Sequence, residues 1–405
     1  MRWRDEDAKT EMRLLVLASR PRETPADTSA IHDLLRQPVD WTSLIEGALR
    51  HGVTPQVVGR LVSAAEAELP PELAEAARVH LSELRERNRT IIGEFGAILD
   101  ALRRTGIEAI PLKGPVLAQL LYGDATARAF RDLDFLVRRA DAERTISVLA
   151  ELGYREFPDP ANLSPRHRTA LYALRGQTVL WKADALAPVE PHWTLAPANL
   201  RLALDLEGMW RRSQPIVFAD REIRAPAPSD LVLTVAIHGG KDEWSRLQSV
   251  CDLAHAVLSL SPLDWPMILG SAREQRCLRM LLSGMRLSED LMGTELPAEV
   301  AAALADEPEA ATLARVAAGR ILSDDRTDHP MFKVSRFRFR LHDRWLDRLH
   351  YVAMTILTPR EQHLGLVRLP DRLFFLYCPL KFVHDYILLP AWLLLKRMRG
   401  PTATR

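Results

Sequence analysis

Cysteine is scarce in this 405-residue chain. Cys251, Cys277 and Cys378 are odd in number, far apart and show no C-x-x-C spacing. That excludes a disulfide framework and a thiolate zinc site. Net charge is also missing, with 54 Lys and Arg against 53 Asp and Glu, so the chain is not a general coat for nucleic acid. Long unbroken apolar runs are lacking as well. The run beginning at Leu14 is too short for a membrane span and no signal-peptide pattern surrounds it, so a cytoplasmic location is expected. What is present is 47% hydrophobic residues and 27 prolines. This composition argues against a disordered, coiled-coil or collagen-like chain and leaves room for two or three domains with real cores.

The neutral total conceals an asymmetry. Residues 331–405 carry 14 Lys and Arg against five acids, and residues 1–330 carry 40 against 48. An acidic body is joined to a basic, aromatic tail.

Hydrophobic periodicity predicts helices through residues 1–100, with Ser29 or Asp33 as candidate openings, Trp41 to Arg50 as one helix and Glu72 to Arg104 as a long amphipathic one. The pattern changes at Gly106. Ile107 to Leu112 reads as a strand, Val116 to Tyr122 as a helix and Asp132 to Val137 as a second strand. A helix capped by Asp141 follows, closed by Gly153. Thr178 to Lys182 and Val189 to Thr194 are two further strands. The expectation is an α+β fold: a small mixed-sheet core at 101–228 between an N-terminal helical region at 1–100 and a helical domain at 229–330. Ser229 is the expected cap of the first helix of that domain, and a basic aromatic region at 331–405 ends the chain.

The segment from Leu112 to Val137 carries the chemistry. Strand side chains alternate faces, so Asp132 and Asp134 project together, about 7 Å apart along the strand, while Leu133, Phe135 and Val137 anchor the other face. Paired carboxylates on a rigid strand suit a hard cation such as Mg²⁺. A site for two ions needs a further acid. Glu190 is the candidate, on a strand face shared with His192 and Thr194, and Asp184 is its rival.

The order LKG, YG, R, DLDFLV, LGY and E-x-HW, read from Leu112 to Trp193, resembles a family of bacterial nucleotidyltransferase-like proteins of the DNA polymerase beta superfamily. The similarity extends through His238-Gly-Gly-Lys-Asp-Glu-Trp244 and Asp252-Leu-Ala254, and covers about residues 85–395. It implies a minimal nucleotidyltransferase fold in which Asp132, Asp134 and Glu190 are the catalytic metal carboxylates for two Mg²⁺ ions. Lys113 and Arg128 would face the phosphates of a nucleoside triphosphate, and Gly114 would let the backbone approach them. The chain departs from the superfamily pattern at Pro115, which follows Gly114 where a serine is common, and at Pro191 within the second acid's strand.

The reading is thus an Mg²⁺-dependent nucleotidyltransferase. The acceptor is not legible: a small molecule, peptide or glycan, with specialised-metabolite or polysaccharide pathways suggested by analogy alone. The alternatives are a catalytically silent binding or scaffolding protein and an enzyme acting on nucleic acid such as tRNA. His238, Lys241 and Asp252 are expected as a packed polar cluster beside Trp244. Gly239-Gly-Lys241 lacks the spacing of a phosphate loop. Lys333 to Arg340 interleaves aromatic and basic residues, a weak nucleic-acid signal. The apolar stretch 373–399 is expected to dock on the protein's own helices, on a partner, or peripherally on a membrane with Lys396, Arg397 and Arg399 beside anionic headgroups.

Overall fold

The computed structural model describes residues 8–157, 163–323 and 333–389. Five helices open the chain: α1 (Thr10–Ala18), α2 (Pro25–Leu35), α3 (Trp41–His51), α4 (Thr54–Ala65) and α5 (Pro71–Arg104). The expected openings at Ser29 and Asp33 both lie inside α2, whose cap is Thr24. Its hydroxyl accepts from the Asp27 N–H at 3.1 Å while Asp27 accepts from the Thr24 N–H, a reciprocal capping box ahead of Pro25. The long helix α5 is buried mainly from Asn88 onward, where Ile91, Phe95, Ile98 and Leu102 meet the sheet.

The sheet is built from β1 (Ile110–Pro111), β2 (Leu133–Leu136), β3 (Arg155–Glu156), β4 (Leu180–Trp181) and β5 (Val189–His192), in the order β1-β2-β5-β4-β3. Only β2 and β5 run parallel, with Asp134 beside Glu190 and Leu136 beside His192; the other neighbours are antiparallel. Pro191 sits inside β5 because the β5 carbonyls of Pro188 and His192 accept from β2. By the two-residue period, the missing N–H of Pro191 faces β4 instead. The ladder on that side is correspondingly broken. Leu180 pairs with Val189, and beyond it only an isolated bridge joins Gln177 to His192.

Helices α6 (Gly114–Tyr122), α7 (Ala142–Glu151), α8 (Pro165–Arg175) and α9 (Leu206–Arg212) complete this region. Asp141 does not cap α7 with its side chain, which bonds Arg144 at 2.6 Å. A hairpin of β6 (Gln214–Phe218) and β7 (Arg221–Ala225) ends it, turning through Ala219 and Asp220, both with positive φ. The sequence reading missed this hairpin because Ala219 holds the first turn position, where Asn, Asp or Gly is usual, and no Gly follows it.

Next come α10 (Pro228–Lys241), α11 (Leu247–Ser259), α12 (Trp265–Glu274), α13 (Leu278–Met292), α14 (Ala298–Asp306) and α15 (Pro308–Leu322). Ser229 is in the first turn of α10, not at its cap, which is Ala227. These helices share one apolar core with α1, α3 and α4, whereas α5, α7 and one face of the sheet form another. α10 lies at the centre and every residue from Leu231 to Lys241 is buried. Gly239 and Gly240 are there for packing. A Cβ at Gly239 would stand 2.2 Å from the Trp244 ring and one at Gly240 2.6 Å from Met280, while Gly284 of α13 closes on the other side of Trp244 at 2.3 Å.

The basic region forms α16 (Arg336–Leu341), α17 (Trp345–Leu357), α18 (Glu361–Leu366) and α19 (Tyr377–Val383), the last continuing as a wider π turn over His384–Leu388. α16 folds onto the body. Phe337 and Arg338 are buried, Arg338 donates to the Lys241 carbonyl at 2.9 Å, and Arg340 pairs with Glu309. No described helix is long and apolar enough to cross a membrane. Lys396, Arg397 and Arg399 lie outside the described residues.

Candidate active site

Parallel pairing of β2 with β5 places Asp134 and Glu190 side by side, and the two-residue period returns His192 to the same face. The His192 Nε2 lies 3.3 Å from Asp134 Oδ1 and 3.9 Å from Glu190 Oε2, so one imidazole bridges the two carboxylates. Gln177 Nε2 donates to Glu190 Oε2 at 2.7 Å, and the Lys113 ammonium is 3.9 Å from Asp134 Oδ2. Asp132 precedes β2 and lines the same cavity, of about 410 Å³, together with Lys113, Asp134, Glu190, His192, His238 and Lys241. The rival acid Asp184 is not in this cavity; it is 76% exposed and pairs with Lys182.

Three acids crowd one low-dielectric pocket, and this shifts their pKa values. Burial, followed by the charges of Asp134 and Asp132, pushes Glu190 up to about 8. Asp132 is raised by the charge of Asp134 and then by burial. Burial would raise Asp134 too, but the His192 hydrogen bond and the neighbouring cations hold it at about 2. Two acids displaced upward mark an excess of negative charge that a cation offsets. The donor set is oxygen-rich, and ligand atoms of Asp134, Glu190 and His192 lie within 4.8 Å of one another. This set suits a hard divalent ion.

A second cluster of ligand-capable side chains, His363, His384 and Asp385, lies in the C-terminal region. There the Arg360 N–H donates to His363 Nδ1 at 3.0 Å, so the ring proton is on Nε2 and is given to Asp385 at 2.9 Å. Both nitrogens of the His363 ring are engaged in hydrogen bonds, so the cluster acts as a clasp between α18 and the end of α19. A larger apolar cavity of about 440 Å³ lies among α3, α4 and α5, lined by residues such as Leu44, Val57 and Leu73. Size alone does not locate the chemistry.

Gly114 stands at the start of α6 with φ of +66°, a conformation only glycine adopts without strain; an added Cβ would find room, at 3.6 Å from the Asp132 carbonyl. Lys113 is held immediately before it. Arg128 is placed differently from Lys113. Its guanidinium is buried and clamps Asp252 of α11, with Nε to Oδ1 at 2.8 Å and Nη2 to Oδ2 at 2.7 Å, while Nη1 donates to the Ala129 carbonyl. The Tyr122 hydroxyl also donates to Asp252 at 2.8 Å. Arg128 thus ties the loop between α6 and β2 to the helical body and borders only a small adjoining cavity.

The residues that sequence reasoning left out of the site are on α10. His238 and Lys241 are buried yet line the cavity, three residues apart on one helical face. Neither His238 ring nitrogen has a hydrogen-bond partner among the described residues. Burial, together with Lys113 and Lys241, holds the His238 pKa well below that of a free imidazole. Burial also lowers the Lys241 pKa. The available signal was two polar residues three apart at the end of a largely apolar helix, which the Gly-Gly pair between them obscured.

A family model described as an uncharacterised nucleotidyltransferase matches residues 37–293, spanning the sheet, the acidic cavity and α10 to α13. No curated protein and no solved structure matches the chain.

Proposed function

We propose, for a chain that belongs to the uncharacterised nucleotidyltransferase family, that it moves a nucleoside monophosphate from a nucleoside triphosphate to an acceptor hydroxyl or phosphate, in the manner of the DNA polymerase beta superfamily. The observation that carries this reading is the convergence of Asp132, Asp134 and Glu190 with Lys113 and Lys241 on one cavity. Asp132, Asp134 and Glu190 are the residues to hold Mg²⁺. Bound there, the ion supplies Lewis-acid stabilisation of the transferring phosphoryl group and of the leaving pyrophosphate.

The chain's own groups do the rest. Lys113 and Lys241 set positive charge beside the triphosphate oxygens, where charge develops as pyrophosphate leaves. His192 fixes the orientation of Asp134 and keeps it ionised. The acceptor oxygen attacks the α-phosphorus, the bond from that phosphorus to the bridging oxygen breaks, and pyrophosphate leaves with the electron pair. The acceptor's proton passes to one of the three carboxylates.

A second reading is a catalytically silent binding protein. Its supports are Pro115, which brings neither hydroxyl nor N–H to the phosphate turn, and Arg128, whose donors are already engaged. Incubation with α-labelled triphosphates and a cell extract decides between them. The enzyme transfers label to a discrete acceptor, and Asp134→Asn does not; absence of transfer with all four triphosphates favours the silent module.

A further inference from the structure

The end of the described chain is built inside out. On α17, Asp347, Tyr351 and Thr355 recur every four residues and are buried. Asp347 meets Arg201 at 3.1 Å and Arg276 at 3.2 Å, Tyr351 donates to the Lys333 carbonyl, and Thr355 accepts from Asn199. On α19 and its π continuation, Tyr377, Lys381 and Asp385 repeat with the same spacing. The Lys381 ammonium donates to the Thr355 carbonyl, Tyr377 to that of Val367, and Asp385 is clasped by Arg360, His363 and His384. The polar stripes of both helices therefore face the protein.

Their apolar stripes face outward. Leu346, Leu349 and Leu357 of α17 are 52, 57 and 42% exposed, and Trp345 is 66% exposed. Phe382, Val383, Tyr386 and Ile387 are 40 to 52% exposed, and Phe375 before them 62%. Fifteen of the 25 large apolar side chains exposed among the described residues fall between 345 and 389. A helix bathed in water carries the reverse pattern, and a patch of this kind marks an interaction surface.

Charge identifies the partner. Asp343, Asp347, Asp371 and Asp385 are all drawn to partners, respectively Arg279, Arg201 with Arg276, Ser164, and Arg360. Arg344 and Arg372 stand exposed beside the apolar stripes. The sequence beyond the described residues continues Ala391-Trp-Leu-Leu-Leu-Lys-Arg-Met-Arg399, an aromatic and apolar run followed at once by cations. Interfacial aromatics, outward aliphatics and flanking arginines, with no described helix able to span, match the chemistry of a bilayer surface bearing anionic headgroups.

We propose that α17 and α19 form a peripheral docking face for an anionic lipid bilayer, which the inward polar clasps hold open toward the membrane. The test is co-sedimentation of the full chain with vesicles of phosphatidylcholine alone and of phosphatidylcholine with phosphatidylglycerol. Binding is expected on the anionic vesicles and not on the neutral ones. Phe382→Glu/Ile387→Glu, at exposed positions, should weaken it at least about tenfold, and Arg344→Gln and Arg372→Gln about fivefold each, with less salt dependence. No binding to either vesicle, equal binding to both, or binding indifferent to these variants overturns the proposal. So does a wild-type dimer in analytical ultracentrifugation that becomes monomeric in Phe382→Glu/Ile387→Glu, since that gives the face to a second copy of the chain.

Discussion

Replacing Asp252 by Asn tests what Arg128 does. The pair is buried, with side chains 7 and 6% exposed, and it is joined at 2.7, 2.8 and 3.1 Å. Water screens little of it. Asn keeps the shape and removes the charge, leaving the guanidinium buried without its counter-ion, which costs about 3–5 kcal/mol. Unfolding entropy of about 2.1 cal/mol/K per residue gives roughly 0.85 kcal/mol/K if the whole chain unfolds together, so the melting temperature should fall by about 4–6 °C. Arg128→Met should fall comparably, because it strands the carboxylate. Arg128→Met/Asp252→Asn should lose less than the two single losses combined, with a coupling of about 2 kcal/mol. Thermal unfolding of the four proteins is the assay. If Arg128→Met melts within 1 °C of the wild type while triphosphate binding weakens, the clamp is the wrong account and the guanidinium belongs to the nucleotide.

Other perturbations test the acidic cavity, the turn before α6 and the packing around Trp244. Glu190→Gln should stabilise the metal-free protein at pH 8 by about 1–3 kcal/mol and change little at pH 5. The folded state holds the Glu190 proton up to about 8 whereas the unfolded chain releases it near 4.5, so wild-type stability declines across that interval and the variant's does not. Melts in a chelator at the two pH values read this directly. Gly114→Ala should cost about 1–2 kcal/mol through backbone strain alone, since its Cβ meets nothing closer than 3.6 Å. A melt unchanged from wild type would refute the positive-φ requirement. Trp244→Ala should cost about 3–5 kcal/mol by emptying the slot between Gly239 and Gly284, measured by chemical denaturation. Losses under 1 kcal/mol would mean the slot collapses freely.

The two central strands β2 and β5 were legible because their residues carry two signals at once, whereas the two-residue β3 was not anticipated. In β2 and β5 the apolar positions alternate with polar ones, Asp134 in the first and Glu190 and His192 in the second, so period and chemistry agree. The long α5 and the α+β class followed from periodicity for the same reason. The β6–β7 hairpin was not legible, because its turn opens on Ala219 at positive φ and contains no Gly. The role of His238 and Lys241 was hidden by position. Their helix reads as a buried core element, and only the packing of α10 against the sheet region brings its polar residues onto the cavity. Arg128 was misleading for a related reason, since a basic residue near a phosphate turn looks available until the fold supplies Asp252 from 124 residues away. The inward polar stripes of α17 and α19 could not be told from outward ones, as periodicity gives the faces of a helix but not which one meets solvent.

The central claim is that Asp132, Asp134 and Glu190 bind a nucleoside triphosphate through a divalent cation. Isothermal titration of each triphosphate into the protein, with Mg²⁺ and with a chelator, tests it most directly when wild type is compared with Asp132→Asn/Asp134→Asn. The account predicts binding that requires Mg²⁺ and is lost in the double variant while its fold is retained. Equal binding with and without the ion, unchanged by the double substitution, would contradict it.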